Sequence, residues 1–447
     1  MKKLFIANRG EIALRIIRTA RELGIETVLA VSEADKESTP ARMSDSVAEV
    51  GPSSATKSYL SRESMLDAVL RSGADAVHPG YGFLSEDARF AQAVVDAGLT
   101  WVGPSPESIR LMGDKAAARE AARAAGVPVM NGSDGVVETI DDLEAAADRV
   151  GFPLLIKAAA GGGGRGIRIV RTADALEHEY TVASAEAASA FGDGSVYLER
   201  YITRARHVEV QILGDGKRAI HLFDRDCSMQ RRQQKVVEEA PAANVPDDVR
   251  EQMFKASVRL AQACGYKGAG TVEFLYDVDQ RAVFFIEMNT RLQVEHPVTE
   301  MITGIDLVRE QLRIADGNEL QLSQNDIVAR GHAIEVRLCA EDSERNFMPS
   351  PGLIQSVMWP AGPGVRIDSG VAAGSTVSPY YDSMLAKLIV WNSDRSSAIS
   401  RLQRALNELE IAGLATTQKF LSSLISSLDF YEFSHHTKFI EESFFAE

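Results

Sequence analysis

The segment Ala160-Gly161-Gly-Gly-Gly-Arg165-Gly166 constrains the fold of this chain more than any other stretch. It satisfies the Gly-x-Gly-x-x-Gly pattern of dinucleotide-binding folds, but that fingerprint needs a helix directly after the glycines to meet a pyrophosphate. Here the strand-former IRIV follows instead. Strand, glycine loop, strand predicts a hairpin flap whose bare backbone amides close over phosphates, with Lys157 on the entering strand as a point charge. The plain alternative is a loose surface hairpin. Four consecutive glycines lose entropy on folding with no packing return, which favours phosphate contact. A second glycine motif, Gly51 to Ser58, misses the Walker pattern because Thr56 stands where glycine must precede Lys57, and it reads as an ordinary loop.

At 447 residues the chain is too long for one ordinary core, and 45% apolar with 25% charged residues is the balance of a globular protein. The pattern predicts two to four packed units. Residues 1 to about 112 alternate short β-rich runs with stretches such as Ile12, Ile16, Ala20 and Leu23, spaced by three and four, which is a βαβ series with a parallel sheet. An alanine-rich helical linker spans 113–129, and a smaller unit, 130–201, holds the glycine run. From 202 to 329 hairpins predominate, with turns at Asp215-Gly216 and Asp277 to Gln280 and a helix at about 247–264 between them. Residues 330–447 combine glycine- and proline-punctuated strands with helices near 396–409 and 416–427.

A net charge of -15 argues against nucleic acid and anionic membrane partners, so an anionic substrate must be met by locally clustered cations. Cys227, Cys264 and Cys339 fit neither a disulfide framework nor a zinc pattern, and are expected to be buried thiols in a reducing compartment. The opening MKKLFIANRG is too short in apolar residues for a signal sequence, and no stretch reaches the length of a membrane span, so a cytoplasmic protein is expected.

Glu273 and Glu287 each interrupt an otherwise apolar strand, and the hairpin joining them brings them near one register position. Two such carboxylates repel unless a cation sits between them, and Mg²⁺ suits the pair because it takes its other ligands from phosphates and water. Asn289 adds an oxygen two residues on. The alternative is two separate solvent-facing glutamates. Cations cluster at Gln230-Arg-Arg-Gln-Gln-Lys235, at Arg291 within Asn289 to His296, and at Arg337. A charge run is usually a solvated face, but beside a metal pair and a glycine flap these are the groups phosphoryl transfer requires.

Together, IANRGEIALR, HPGYGFLSE, GPSPESIRLMGDK, the glycine loop, RHVEVQ, RDCSMQRR, KVVEEAP, EMNTR, QVEHPVTEMITG and PYYDSM resemble biotin carboxylase, the ATP-grasp component of biotin-dependent acyl-CoA and pyruvate carboxylases. The resemblance implies an α/β and α+β multidomain fold: a Rossmann-like N-terminal domain, then an ATP-grasp fold with a glycine-loop lid, working as a homodimer. Carried over by position, Lys115, Lys157, Gly163, Gly164, His207, Gln230 and Gln233 contact ATP, with Glu199, Arg200 and Ile202 at the adenine hinge. Glu273 and Glu287 hold Mg²⁺ or Mn²⁺ beside Asn289. Glu295 deprotonates bicarbonate, which Lys235, Arg291, Gln293 and Val294 hold. Attack on the γ-phosphate gives carboxyphosphate, and its phosphate removes the ureido proton of biotin. Arg337 stabilises the resulting oxyanion, with Tyr81 near the biotin ring. For Glu295 and Arg337 the alternative is an ordinary surface ion pair; His296 reads as structural, and Arg15 with its helix as an interface candidate.

Three positions depart from the family: Ala160 opens the glycine run, Arg200 replaces a lysine, and Gln233 stands where a histidine is usual. Glutamine keeps hydrogen bonding but not charge, so weaker nucleotide binding with intact chemistry is expected. No Met-Lys-Met biotin-attachment motif occurs, so biotin is expected on a separate carboxyl carrier protein, with a carboxyltransferase subunit elsewhere. The acceptor (acetyl-CoA, propionyl-CoA, pyruvate or another) stays open, as do two rival readings: another ATP-grasp ligase, or a regulator that has lost catalysis.

Overall fold

The structure is a computed structural model that describes residues 1–445 apart from 131, 134, 138 and 160–166. The glycine run, with Ala160, Gly163 and Gly164, thus lies outside the described residues. The chain forms two compact units: a larger one of Met1–Val127, Arg206–Leu275 and Ile286–Glu447, and a smaller one of Pro128–Ala205 with Tyr276–Phe285.

The βαβ pattern at the start gives a five-stranded parallel sheet in the order Ser46–Gly51, Glu26–Ser32, Lys3–Ile6, Ala76–His78, Thr100–Trp101. Its strands read as near-continuous apolar runs because helices cover them, and Leu4, Phe5 and Ile6 are fully buried. Helix Gly10–Glu22 turns Ile12, Ile16 and Ala20 onto this core. Its Arg15 is not a free surface group: the guanidinium is buried and donates to Glu300 and Asp306, both at 2.7 Å. Within the chain, those two carboxylates engage Arg15, the interface candidate on this helix.

A second sheet has eight strands, in the order Ala282–Asn289, Lys267–Asp277, Ala205–Asp215, Ala219–Arg231, Gln234–Ala240, His332–Cys339, Met384–Asn392, Val365–Ser369. From Ala205–Asp215 onward every neighbouring pair is antiparallel. Strand alternation gives its centre two distinct faces. Val237, Ile334, Val336, Leu338, Leu388 and Val390 pack against helices Arg395–Glu408 and Gln418–Ile425. The opposite face carries Glu238, Glu335, Arg337 and Lys387, with Ala240, Ala333 and Ile389 packing on helix His296–Thr303.

The smaller unit is a three-stranded antiparallel sheet, Ile167–Val170, Leu154–Ala158, Val196–Arg200, with helices Ile140–Val150 and Leu176–Phe191. Leu143, Val150, Leu154, Ile156, Val170 and Leu198 form its core. Of the three cysteines, Cys227 is buried while Cys264 and Cys339 are only partly so, and all are free thiols. Among the described residues, no helix is long and apolar enough to cross a membrane.

Candidate active site

A cavity of about 1160 Å³ opens in the larger unit. Twelve of the predicted residues line it: Tyr81, His207, Gln230, Gln233, Lys235, Glu273, Glu287, Asn289, Arg291, Gln293, Val294 and Arg337. They arrive from strands and loops more than 250 residues apart in sequence. The separate-glutamates alternative falls here, because Glu273 and Glu287 face one space.

The centre of the site is Lys235. Its ammonium donates to Glu209 at 2.6 Å, Glu273 at 2.9 Å and Glu295 at 2.6 Å, which uses all three of its donors. Burial opposes the charge, yet the three carboxylates together push the ammonium well above its ordinary value. Glu295 is fully buried behind the cavity wall rather than on it, and Arg337 donates to its other oxygen at 3.0 Å. The Glu295–Arg337 contact is therefore no surface ion pair. Burial raises the Glu295 carboxyl, but Lys235 and then Arg337 and Arg225 outweigh it and hold the group ionised. A carboxylate that is both ionised and water-poor is poised to accept a proton from a bound acid.

His207 lies 3.1 Å from Glu273 and 3.7 Å from Glu209. Burial disfavours its charge, but Glu273 and Glu209 together overcome this and the imidazole is pushed up to about 9. Gln230 contacts its Nδ1 at 3.0 Å and so fixes the ring. His207, Glu209 and Glu273 are close enough together to hold an ion. However, Lys235 and the fully buried Arg225, 2.7 Å from Glu209, already neutralise those carboxylates. Glu287 differs, because among the described residues no cation pairs with it. Burial and then Glu273 push its carboxyl up. A divalent cation shared by Glu273 and Glu287 would supply the missing charge, so the pair fits the expected metal.

Arg291 is held at four points: Glu86 at 2.9 Å, Gln293 at 2.9 Å, Asn289 at 3.0 Å and the Leu292 carbonyl at 3.3 Å. The Tyr81 hydroxyl donates to Glu11. His296, as expected, is structural: fully buried, its Nδ1 2.8 Å from the Gln293 carbonyl, and kept neutral chiefly by burial. Gln233 occupies the tip of a two-residue hairpin between the paired Arg231 and Gln234, with φ of 65° after Arg232 at 50°.

The remaining predicted residues lie elsewhere. Lys115 is exposed on the first turn of helix Lys115–Ala124 and does not line the cavity, though its charge reaches Glu287. Lys157, Glu199, Arg200 and Ile202 belong to the smaller unit, where Lys157 donates to Glu199 across neighbouring strands and Ile202 is buried.

Glu209, Arg225, Glu238 and Lys387 complete the charge network without having been singled out in the sequence. One signal was available: His207, Glu209 and Gln211 alternate with Val208, Val210 and Ile212, so Glu209 shares the face of His207. No comparable pattern marks Lys387, whose ammonium is spent on the Val294 carbonyl at 2.9 Å and Glu11 at 3.2 Å.

The family model for the biotin carboxylase N-terminal domain matches residues 1–109, that for the carbamoyl-phosphate synthase L chain ATP binding domain 114–323, and that for the biotin carboxylase C-terminal domain 335–442. Biotin carboxylase 1 of Bacillus subtilis is 49% identical over 442 residues, covering 99% of this chain and 98% of that one. This chain belongs to the biotin carboxylase family. Solved biotin carboxylases share its fold. A β,γ-ATP complex from Campylobacter jejuni superposes with a TM-score of 0.89 at 44% identity, covering 98% of both chains. The biotin carboxylase domain dimer of 2-oxoglutarate carboxylase from Hydrogenobacter thermophilus, solved with MgADP, ADP and bicarbonate, gives 0.88 at 45% identity, covering 99% of this chain and 97% of that one. The biotin carboxylase family thus supplies the mixed fold in full: a parallel N-terminal sheet followed by the antiparallel ATP-grasp sheet.

Proposed function

We propose that this chain uses ATP and bicarbonate to carboxylate biotin carried on a separate protein, giving carboxybiotin, ADP and phosphate. The observation that carries the reading is the buried Glu295 carboxylate, held ionised between Lys235 and Arg337 beside the cavity that Glu273 and Glu287 also face. Glu295 takes the bicarbonate proton, and the resulting dianion, held by Lys235, Arg291, Gln293 and the Val294 backbone, attacks the γ-phosphate to form carboxyphosphate and release ADP. Its C–O cleavage gives CO₂ and a phosphate trianion. The phosphate removes the ureido proton, and the deprotonated biotin attacks CO₂, with its oxyanion on Arg337 and its ring near Tyr81. Mg²⁺ or Mn²⁺ held by Glu273 and Glu287, with Asn289 alongside, would offset the phosphoryl charge.

By resemblance, ATP contacts come from Lys115, His207, Gln230, Gln233, Lys157, Glu199, Arg200 and Ile202. Gly163 and Gly164 complete the set by resemblance. The functional divisions follow the sequence: 1–112, 113–129, 130–201, 202–329 and 330–447. The partners are a biotin carboxyl carrier protein, a carboxyltransferase and, as in the Hydrogenobacter domain, a second copy of the chain. The test is ADP release with magnesium and bicarbonate, without biotin, with free biotin and with a biotinylated carrier domain. Bicarbonate-dependent stimulation by biotin, lost roughly 10²- to 10⁴-fold in Glu295→Gln, is expected. Turnover indifferent to bicarbonate and biotin would sink the reading.

A further inference from the structure

Glu335 plays no part in the reaction as described, yet it is placed where an ionised carboxylate is very costly. Its side chain is fully buried, and among the described residues neither carboxyl oxygen meets a hydrogen-bond donor. In the antiparallel ladder it stands directly opposite Glu238, so the two Cβ atoms are about 5 Å apart on one face of the sheet. Glu238 is also fully buried. Its Oε1 receives the Arg337 Nε at 2.6 Å, but its Oε2 has no partner. Two opposed residues thus present three buried carboxyl oxygens with no donor among them. A single proton between the residues pairs two of these oxygens, one from each residue.

The surroundings decide which residue holds it. Arg337 is bonded to Glu238 and makes that group the more readily ionised of the two. Glu335 has no bonded cation, because Lys387 on the adjacent strand is committed to Val294 and Glu11. The charged and titratable groups that face Glu335 are Lys387, Glu238, Arg337, Glu295 and Tyr81. Burial is the largest influence and pushes the Glu335 acid well above the ordinary range, with Lys387 opposing and Glu238 reinforcing. Glu238 is raised to about 7, again chiefly by burial, against Arg337.

We propose that Glu335 is a positioning residue for carboxylation: as the neutral acid it donates its proton to the free oxygen of Glu238, locking the carboxylate that aims the Arg337 guanidinium. This rests on the role given to Arg337 above. The same guanidinium reaches Glu295 at 3.0 Å, so an anchored Glu238 behind it sets how Arg337 is shared between the base and the substrate. Ionising Glu335 would set two carboxylates against each other and loosen that anchor.

Infrared difference spectra of the purified chain at neutral pH test the protonation directly. A protonated carboxylic-acid band is expected in the wild type and absent in Glu335→Gln. Kinetics test the consequence. Glu335→Ala is expected to lower kcat for bicarbonate- and biotin-dependent ADP release by about ten-fold with the KM for ATP unchanged, and Glu335→Gln, whose amide can still donate, to recover to within about three-fold. No acid band, an unaffected Glu335→Ala, or a Glu335→Gln as impaired as the alanine variant would each overturn the proposal. If the alanine variant fails to fold, the glutamine variant and the infrared band decide. A wild type with the band but no bicarbonate-dependent turnover would instead fail the functional reading.

Discussion

The two faces of the strands Gln234–Ala240, His332–Cys339 and Met384–Asn392 are built on one hydrogen-bond ladder but spend it differently. One face sets Val336, Leu338 and Leu388 against two helices and contributes by removing apolar surface from water. The other sets Glu238, Glu335, Arg337 and Lys387 beneath helix His296–Thr303, where a desolvated charge is costly unless a partner offsets it. Apolar packing is forgiving of which residue supplies the volume. A buried charge network is not, since removing one member strands the others.

The sharpest way to break this contrast is to remove one residue from each face. Arg337→Met should lower kcat by roughly 10²- to 10³-fold, the cost of losing one preorganised donor to an oxyanion. It should also destabilise the chain by about 3–5 kcal/mol through the stranded Glu238 and Glu295. Leu338→Ala should cost roughly 2–5 kcal/mol of stability as a cavity, with kcat per folded molecule near the wild type. Urea unfolding with steady-state kinetics on the same samples separates the two, and a Leu338→Ala that loses kcat as Arg337→Met does would erase the distinction between the faces.

Glu239, on the apolar side of the ladder, sharpens the comparison because it is charged there. It is held by His332 at 2.7 Å and Arg395 at 2.6 Å. Burial raises its carboxyl, but Arg395 and His332 overcome this and bring it down to about 2. Its stabilisation is therefore present above the unfolded-state value and lost as the pH falls through about 2. Glu239→Gln should cost on the order of 3 kcal/mol at neutral pH, a gap that closes as the pH is lowered through that window. Unfolding midpoints across the acid range check it; a gap independent of pH would show that packing rather than charge is lost.

The smallest effect lies at Gln233. A left-handed backbone costs a non-glycine residue roughly 1–2 kcal/mol, and asparagine tolerates it better, so Gln233→Asn should gain about 1 kcal/mol at most. Gln233→His should lower the KM for ATP with kcat unchanged. An unchanged KM would mean the departure from the family histidine has no bearing on nucleotide binding.

Much of this molecule was legible in its residues. The spacing of Ile12, Ile16 and Ala20 gave the first helix, and the Asp215-Gly216 turn gave its hairpin. Glu273, Glu287, Lys235 and Arg337 announced themselves as polar residues in apolar strands or as dense cation runs, and they meet in one cavity. Glu335 also interrupts an apolar strand, yet nothing nearby in sequence distinguishes it from a solvent-facing glutamate.

Alternation, turn chemistry and motif order were determined by the sequence alone, because they depend on neighbours within a few residues. Which carboxyls are ionised, and by whom, was decided only by the tertiary structure. Glu238 meets Glu335 from almost a hundred residues away, and Lys235 finds Glu209, Glu273 and Glu295 on separate elements. The physical reason is that a charge is set by what surrounds it after water has been excluded, and only the folded register brings those surroundings together.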